Sequence, residues 1–190
     1  MGELFFVGLG LSSERDISLR GLEVAKGADA VFIELYTSLM PELSLEGLER
    51  LLGRRVTLVS RRDLEDESGR VLLEAAKRGR VVLLVPGDPM IATTHVDLRI
   101  RAERMGIRTG VIHGASIASA AIGLSGLQNY KFGRSVTIPF PDGGFISETP
   151  YLVVRENRER GLHTLCFLDA RADEGRYMTC LLYTSDAADD

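Results

Sequence analysis

The feature that most constrains this chain is an unbroken apolar run, Val-Val-Leu-Leu-Val at residues 81–85, which leads directly into Pro-Gly-Asp-Pro at residues 86–89. Five consecutive apolar residues are typical of a parallel strand that helices cover on both faces. Ligands of open α/β sheets bind outside the carboxyl ends of the strands. The turn at residues 86–89 is therefore where a binding site is expected first.

The turn itself allows two interpretations. Gly87 lets the backbone approach a ligand closely, and Pro86 and Pro89 restrict the conformation on either side. Asp88 places a carboxylate at the strand tip, where it suits a hydroxyl, an ammonium group or a metal. The same residue is also suited to be the N-cap of the next helix, and the turn alone favours neither interpretation.

Composition and charge exclude some classes of function. The chain has 190 residues, of which 45% are hydrophobic and 26% charged, enough for one large or two small domains. Lys and Arg number 23 against 27 Asp and Glu, without a cluster of basic residues. Nucleic acid is not an expected partner, because binding its phosphates requires clustered positive charge.

Neither a targeting segment nor a membrane span is predicted. The first residues lack a basic region, and no apolar run approaches the length of a bilayer.

The two cysteines, Cys166 and Cys180, lack a CxxC spacing, which indicates a reduced, cytoplasmic setting. Cys166 is expected to be a buried small hydrophobe. The three histidines lack ligand spacing, so no metal site is expected, and each is predicted to be structural or to line a site.

Strand and helix patterns alternate along the first part of the chain. Strands are predicted at residues 4–7, 30–33, 56–59, 81–85 and 109–112. Helices are predicted at residues 16–26, 44–53, 66–78 and 116–123, and a further helix follows the fourth strand and ends at Gly106. This alternation predicts an α/β fold with βαβ crossovers and a parallel sheet. Gly8 and Gly10 follow the first strand, but Ser13 replaces the third glycine of a dinucleotide fingerprint.

Apolar spacing also predicts which helical residues face inward. Val71, Leu72, Ala75 and Ala76 form one such face, and Ile91, Leu98, Ala102 and Met105 form another. The small residues at 116–123 permit either close packing or contact with a ligand, and close packing is the more common reason for them.

The pattern changes after Gly133. A proline-terminated strand is predicted at residues 135–141, a helix from Thr149 as N-cap and Pro150 to Gly161, and another strand at residues 162–168. We interpret residues 1–132 as an N-terminal α/β domain and residues 133–179 as the start of a second, incomplete α/β domain.

Several segments together resemble the diphthine synthases, a family within the tetrapyrrole-methylase-like class of S-adenosylmethionine-dependent methyltransferases. The glycine loop at residues 6–11, with Glu-Arg-Asp-Ile at residues 14–17, and the Pro-Gly-Asp-Pro turn match the wider class. Three segments point to the diphthine synthases in particular: Tyr-Thr-Ser-Leu at 36–39, Ala-Thr-Thr-His at 92–95 and Tyr-Lys-Phe-Gly at 130–133. The resemblance also includes Glu-Leu at 34–35, Gly-Leu-His-Thr-Leu at 161–165 and Tyr-Met-Thr at 177–179.

The resemblance implies transfer of methyl groups from S-adenosylmethionine to the amino group of a modified histidine on translation elongation factor 2. It also implies a homodimer of two-domain subunits, with the cofactor between the domains. Carried over residue by residue, the cofactor contacts are Leu11, Asp88, Ile91, Ser116, Ile117 and Leu168. The first five follow predicted strands, which agrees with the position expected from the sheet alone.

The acceptor side, where the amine that receives the methyl group would bind, is less defined. The amine must lose a proton before it attacks the methyl group, but the sequence identifies no general base, so the catalytic residues are left unknown. Tyr36, Thr93, Thr94 and His95 are candidates to line the acceptor side. Helix capping by the threonines and core packing by the tyrosine are equally compatible with the sequence.

The last eleven residues, 180–190, do not resemble the family and are interpreted as an artefactual tail. A chain without the rest of the second domain is expected to bind the cofactor weakly or not at all. Two other functions stay open: methylation of a tetrapyrrole ring, and nucleotide binding without catalysis.

Overall fold

The computed structural model describes residues 2–141, 144–171 and 175–178. The chain divides into two compact units, Met1–Ile117 and Ala118–Asp190. The tail at residues 180–190 lies outside the described residues.

A five-stranded parallel sheet forms the centre of the first unit. Its strands are β1 (Glu3–Gly8), β2 (Ala30–Glu34), β3 (Thr57–Val59), β4 (Arg80–Val85) and β5 (Arg108–Ile112). They lie in the order β3-β2-β4-β1-β5, and every neighbouring pair is parallel. The apolar run at residues 81–85 is therefore the middle strand, and all five of its side chains are buried. The predicted α/β fold class is confirmed.

Helices follow the strands as the alternation predicts. They are α1 (Leu19–Lys26), α2 (Leu45–Leu52), α3 (Arg70–Ala76), α4 (His95–Arg104) and α5 (Ile117–Leu124). Successive residues of β4 point to opposite faces, so the strand contributes to two cores. Leu83 packs in the core with Leu72 and Leu98, whereas Leu84 packs in the core with Leu48.

Several predicted helix details are wrong. The helix predicted from residue 66 begins at Arg70, because Arg62–Asp66 forms a π-helical turn and Ser68 has a φ of 56°. Val71 is exposed and Leu73 is buried in its place, because the buried face of α3 consists of Leu72, Leu73 and Ala76. Ile91 and Met105 are also exposed, because α4 runs only over His95–Arg104 and neither residue belongs to it. Helix α5 buries none of its residues, so close packing of its small side chains is not observed.

The described part of the second unit contains most of α5, a further helix and short strands. Strand β6 (Val136–Ile138) pairs in parallel with β7 (Cys166–Leu168), and α6 (Thr149–Glu159) joins them. Strands β8 (Ala170–Arg171) and β9 (Arg176–Tyr177) form an antiparallel pair. The predicted N-cap is one residue off, since Glu148 occupies that position. Cys166 is half-buried rather than buried.

Asn157 fixes α6 to the segments that precede β6 and β7. Its side-chain oxygen accepts from the Arg134 backbone N–H at 3.2 Å, and its amide nitrogen donates to the Arg134 carbonyl at 2.8 Å and to Thr164 Oγ1 at 2.8 Å. The residue is only 4% exposed. Because water does not reach these groups readily, each needs a partner within the protein.

Replacing Asn157 with leucine is expected to lower the free energy of unfolding by about 2 kcal/mol, because it removes the hydrogen bonds that the buried amide makes to Arg134 and Thr164. Urea unfolding followed by circular dichroism measures this loss. Glu156→Ala, at the exposed neighbouring position of α6, is the matched control. Equal stability of the two variants would contradict the assigned role of Asn157.

Candidate active site

Two loops that the sequence marks with glycine meet at the carboxyl edge of the sheet. The Gly10 N–H donates to the Gly87 carbonyl at 3.2 Å, and the Gly87 N–H donates to the Gly10 carbonyl at 2.7 Å. Gly87 has a φ of 67°, a conformation that favours glycine. The glycine loop after β1 and the Gly-Asp-Pro turn after β4 are therefore one connected structure.

A third loop packs equally closely against these two. A Cβ atom on Gly8 would lie 2.5 Å from the Gly87 carbonyl oxygen and 2.6 Å from the Gly114 nitrogen. The ends of β1, β4 and β5 can approach each other this closely only without side chains. This contact fixes the relative positions of the residues that follow the three strands.

Asp88 is the polar centre of this edge. Its carboxylate accepts from the Met90 backbone N–H at 2.9 Å through one oxygen, and the other oxygen lies 2.8 Å from Nδ1 of His113. Asp88 is 7% exposed, whereas the His113 side chain is 73% exposed. The N-cap interpretation of Asp88 is wrong, because the next helix, α4, begins seven residues later at His95.

The structure brings five of the six predicted cofactor residues to the same edge. Leu11 follows β1, Asp88 and Ile91 follow β4, and Ser116 and Ile117 follow β5, and these three strands are neighbours in the sheet. Leu11, Ile91 and Ile117 are exposed apolar side chains. The sixth, Leu168, ends β7 in the second unit. The sequence analysis left His113 as either structural or site-lining and did not place it beside Asp88, although His113 directly follows the apolar residues of β5.

A second polar cluster lies at the carboxyl end of β2. Glu34, the last residue of that strand, is 0% exposed, and His95, the first residue of α4, is 2% exposed. The Glu34 carboxylate accepts from the backbone N–H groups of Tyr36 and Thr37, at 3.0 and 3.1 Å, and from the Thr37 hydroxyl at 2.5 Å. Its Oε1 lies 3.9 Å from Nε2 of His95.

The four acceptor-side candidates have different surroundings. Thr93 Oγ1 lies 2.7 Å from His95 Nδ1, and Thr94 Oγ1 donates to the Glu65 carboxylate at 3.2 Å. Thr94 is the N-cap residue of α4, but its side chain makes no capping bond. Tyr36 packs in the core, which is the alternative to an acceptor-side role given above. The Arg61 guanidinium lies 5.1 Å from its ring centre.

Glu34 is the residue of this cluster that sequence reasoning did not identify. The available signal was a carboxylate that directly follows the apolar strand residues Val31, Phe32 and Ile33. Such a residue is usually predicted to point into solvent, and its complete burial depends on α4 and on the segment before α3, which come later in the chain.

Burial shifts the pKa values of Glu34 and His95 in opposite directions. Burial raises the pKa of Glu34 to about 7, against the hydrogen bonds from Thr37 and Tyr36 that lower it. Burial lowers the pKa of His95 to about 4, against the Pro89 carbonyl, which raises it. At neutral pH, His95 is therefore neutral, and the Glu34 carboxyl is close to its midpoint of titration.

These shifts predict opposite effects on stability, which oppose each other in the unaltered chain. Glu34 binds its proton more tightly in the folded state, so its contribution falls as pH rises from 4.5 to about 7. His95 binds its proton less tightly when folded, so its contribution rises with pH from about 4 to 6.5. As pH rises through this range, the free energy of unfolding of Glu34→Gln is expected to increase by about 1 kcal/mol per pH unit relative to that of the unaltered chain. That of His95→Gln is expected to decrease by a similar amount.

Urea unfolding of the two variants and the unaltered chain at pH 4.5 and 6.5, the ordinary pKa values of the two groups, measures both slopes. Parallel stability profiles of the three proteins would contradict the assigned burial effects.

A pocket of about 260 Å³ opens beside this second cluster. It is lined by Leu64, Glu65, Thr94, His95, Asp97 and Leu98. Two of its side chains are carboxylates, so the pocket suits a positively charged group better than an anion. Among the described residues, no group of His, Cys, Asp and Glu side chains is arranged to hold a metal, and no helix is long and apolar enough to cross a membrane.

Comparison with known proteins identifies the family. The sequence profile of the tetrapyrrole (corrin/porphyrin) methylases matches residues 3–178. The diphthine synthase of Methanosarcina acetivorans is 52% identical over 181 residues, which cover 93% of this chain and 67% of that protein. The chain belongs to the diphthine synthase family. The diphthine synthase of Methanococcoides burtonii is 54% identical over the same shares of the two chains.

A crystal structure of diphthine synthase has the same fold, with a TM-score of 0.81 and 50% sequence identity, over 88% of this chain and 64% of that one. The family resemblance expected from the sequence motifs is thus confirmed, and methyl transfer is the activity class of the family. The chain spans about two thirds of the length of these diphthine synthases.

Proposed function

We propose that the chain binds S-adenosylmethionine at the Asp88 edge of the sheet and methylates the amino group of the modified histidine of translation elongation factor 2. The observation that carries this proposal is the buried Asp88 carboxylate, which three tightly packed loops hold at the carboxyl ends of adjacent strands. Family membership supplies the reaction and the acceptor. The proposed homodimer rests on the family resemblance alone, and the proposed cytoplasmic setting rests on the cysteine usage of the sequence.

The side chains at this edge suit a nucleoside cofactor. A carboxylate accepts strong hydrogen bonds from ribose hydroxyl groups, and Asp88 has lone pairs left beyond its bonds to Met90 and His113. The exposed apolar side chains of Leu11, Ile91 and Ile117 suit the faces of an adenine ring. We propose that Ser116 also contacts the cofactor, and that Leu168 contacts it as the family resemblance implies.

The reaction requires little of the protein beyond positioning. When bound, the cofactor supplies a methyl group that is already electrophilic. The chain must align an unprotonated amine with that methyl group and exclude water. Thr93, Thr94 and His95 lie in the loop after Asp88 and at the start of α4, so we propose that this segment lines the acceptor side. No covalent nucleophile is required.

A methyl-transfer assay with two forms of elongation factor 2 tests the proposal. We expect a mass increase only in the form whose histidine carries the amino-bearing side chain, and none in the form with unmodified histidine. Methylation of a uroporphyrin-type tetrapyrrole instead would favour the alternative substrate. Cofactor binding without transfer to either acceptor would favour the alternative of a nucleotide-binding module.

A further inference from the structure

We propose that Thr93, His95 and Glu34 form a proton relay that takes the proton from the ammonium group of the acceptor. This inference rests on the proposed function, because it assigns the general base that the sequence left unknown. The three residues come from two neighbouring parts of the fold: Glu34 ends β2, whereas Thr93 and His95 lie in the connection from β4 into α4.

The contact between Thr93 and His95 is the first link of the relay. Thr93 Oγ1 lies 2.7 Å from Nδ1 of His95 and accepts from the His95 backbone N–H at 3.4 Å. The hydroxyl oxygen accepts in that bond and keeps its own proton, and the relay assigns that proton to Nδ1. A neutral His95 whose Nδ1 accepts must carry its own proton on Nε2.

Nε2 faces the buried carboxylate of Glu34. The distance from Nε2 to Glu34 Oε1 is 3.9 Å, and within the described residues Nε2 has no hydrogen-bond partner. Both side chains are almost completely buried, so solvent does not readily satisfy this N–H. Catalytic hydrogen bonds are often long without substrate and shorten when it binds.

The surroundings of Glu34 favour uptake of a proton. The titratable groups that face it are Tyr36 at its own strand end, Glu65 from the segment before α3, and His95 from α4; Arg61 lies over the Tyr36 ring. Desolvation and the Glu65 charge both disfavour the ionised carboxylate and raise its pKa to about 7. A general base is most effective when its pKa lies near the working pH.

The loop that carries Thr93 is held in an unusual conformation. Ala92 has a φ of 54°, which a residue with a side chain adopts rarely, and such strain clusters at functional sites. Thr93 is half-buried, and its neighbours Thr94 and His95 line the pocket of about 260 Å³ described above. The carboxylates of Glu65 and Asp97 in that pocket attract an ammonium group.

The relay consists of three proton transfers. The ammonium N–H bond breaks and its proton moves to Thr93 Oγ1, while the Thr93 hydroxyl proton moves to Nδ1 of His95. The Nε2 proton of His95 then moves to Oε1 of Glu34. The products are a neutral amine with a free lone pair, a neutral His95 and a protonated Glu34.

The first test is the tautomer of His95 in the 190-residue chain, measured by NMR with ¹⁵N-labelled histidine between pH 5 and pH 8, a range set about the ordinary histidine pKa. We expect Nδ1 unprotonated and Nε2 protonated throughout. In Thr93→Val we expect the Nδ1 signal to shift, because its donor is lost. A protonated Nδ1 in the unaltered chain would overturn the relay.

The second test is the pH dependence of methyl transfer. Glu34→Gln keeps the size and the acceptor oxygen of the side chain, and we expect a rate about 100-fold lower at neutral pH that recovers as the amine deprotonates by itself at higher pH. Affinity for S-adenosylhomocysteine is expected to stay unchanged. Glu74→Gln, on the exposed side of α3, is the matched control. If Glu34→Gln does not fold, Thr93→Val is expected to show the same pH profile.

The outcomes separate the two proposals. An unchanged pH profile in Glu34→Gln or Thr93→Val overturns the relay and leaves the proposed function intact. If the unaltered chain transfers no methyl group, the proposed function fails for this chain, and the His95 tautomer alone decides whether the hydrogen-bond arrangement of the relay exists.

Discussion

Replacing Asp88 with alanine is expected to weaken the binding of S-adenosylhomocysteine about 100-fold, because it removes the charged acceptor that the ribose hydroxyl groups would bind. The Asp88 carboxylate is nearly buried and is oriented by the Met90 backbone N–H and by His113. It therefore loses little conformational freedom when a ligand arrives. Chemical-shift changes in NMR spectra measure the affinity, since they report both tight and weak binding.

The control for this prediction is Asp66→Ala, a carboxylate of the same kind that is exposed in the π-helical turn before α3. We expect it to bind S-adenosylhomocysteine like the unaltered chain. Equal affinities of the Asp88→Ala variant and this control would place the cofactor away from the central turn. Overlapping far-ultraviolet circular dichroism spectra would show that neither variant has lost the fold.

Much of the first unit was predictable because its strands are buried on both faces. The run at residues 81–85 has no polar break, and a strand of this kind can only lie inside a covered sheet. The helix caps of α2 were equally clear, with Ser44 accepting from the Gly47 N–H and Gly53 in the left-handed conformation. Local chemistry determines these features, so the sequence reveals them.

The polar groups of the site were harder to predict, because distant elements create their surroundings. Nothing next to His113 in the sequence distinguishes it from an ordinary surface histidine. It lies within hydrogen-bond distance of Asp88 only because the loops after β4 and β5 approach each other. Glu34 has an ordinary carboxyl group until α4 and the segment before α3 bury it. The wrong start of α3 has a local cause instead, since the positive φ of Ser68 interrupts an otherwise regular apolar spacing.

The packing of the three loops gives the second large prediction. Gly8→Ala is expected to lower the free energy of unfolding by about 3 kcal/mol, because the added methyl group would overlap backbone atoms that no change of rotamer can move. Those atoms belong to Gly87 and Gly114, at 2.5–2.8 Å from the position of the new Cβ. Urea unfolding followed by circular dichroism measures the loss.

Affinity for the cofactor should fall together with stability in Gly8→Ala, because the same contact positions Asp88. The matched control is Gly123→Ala in α5, where the structure leaves open space around the new methyl group. Since alanine favours a helix over glycine by about 1 kcal/mol, that variant should be at least as stable as the unaltered chain. A Gly8→Ala chain that kept both its stability and its affinity would show that the three loops separate readily, and that the burial of Asp88 does not depend on their close approach.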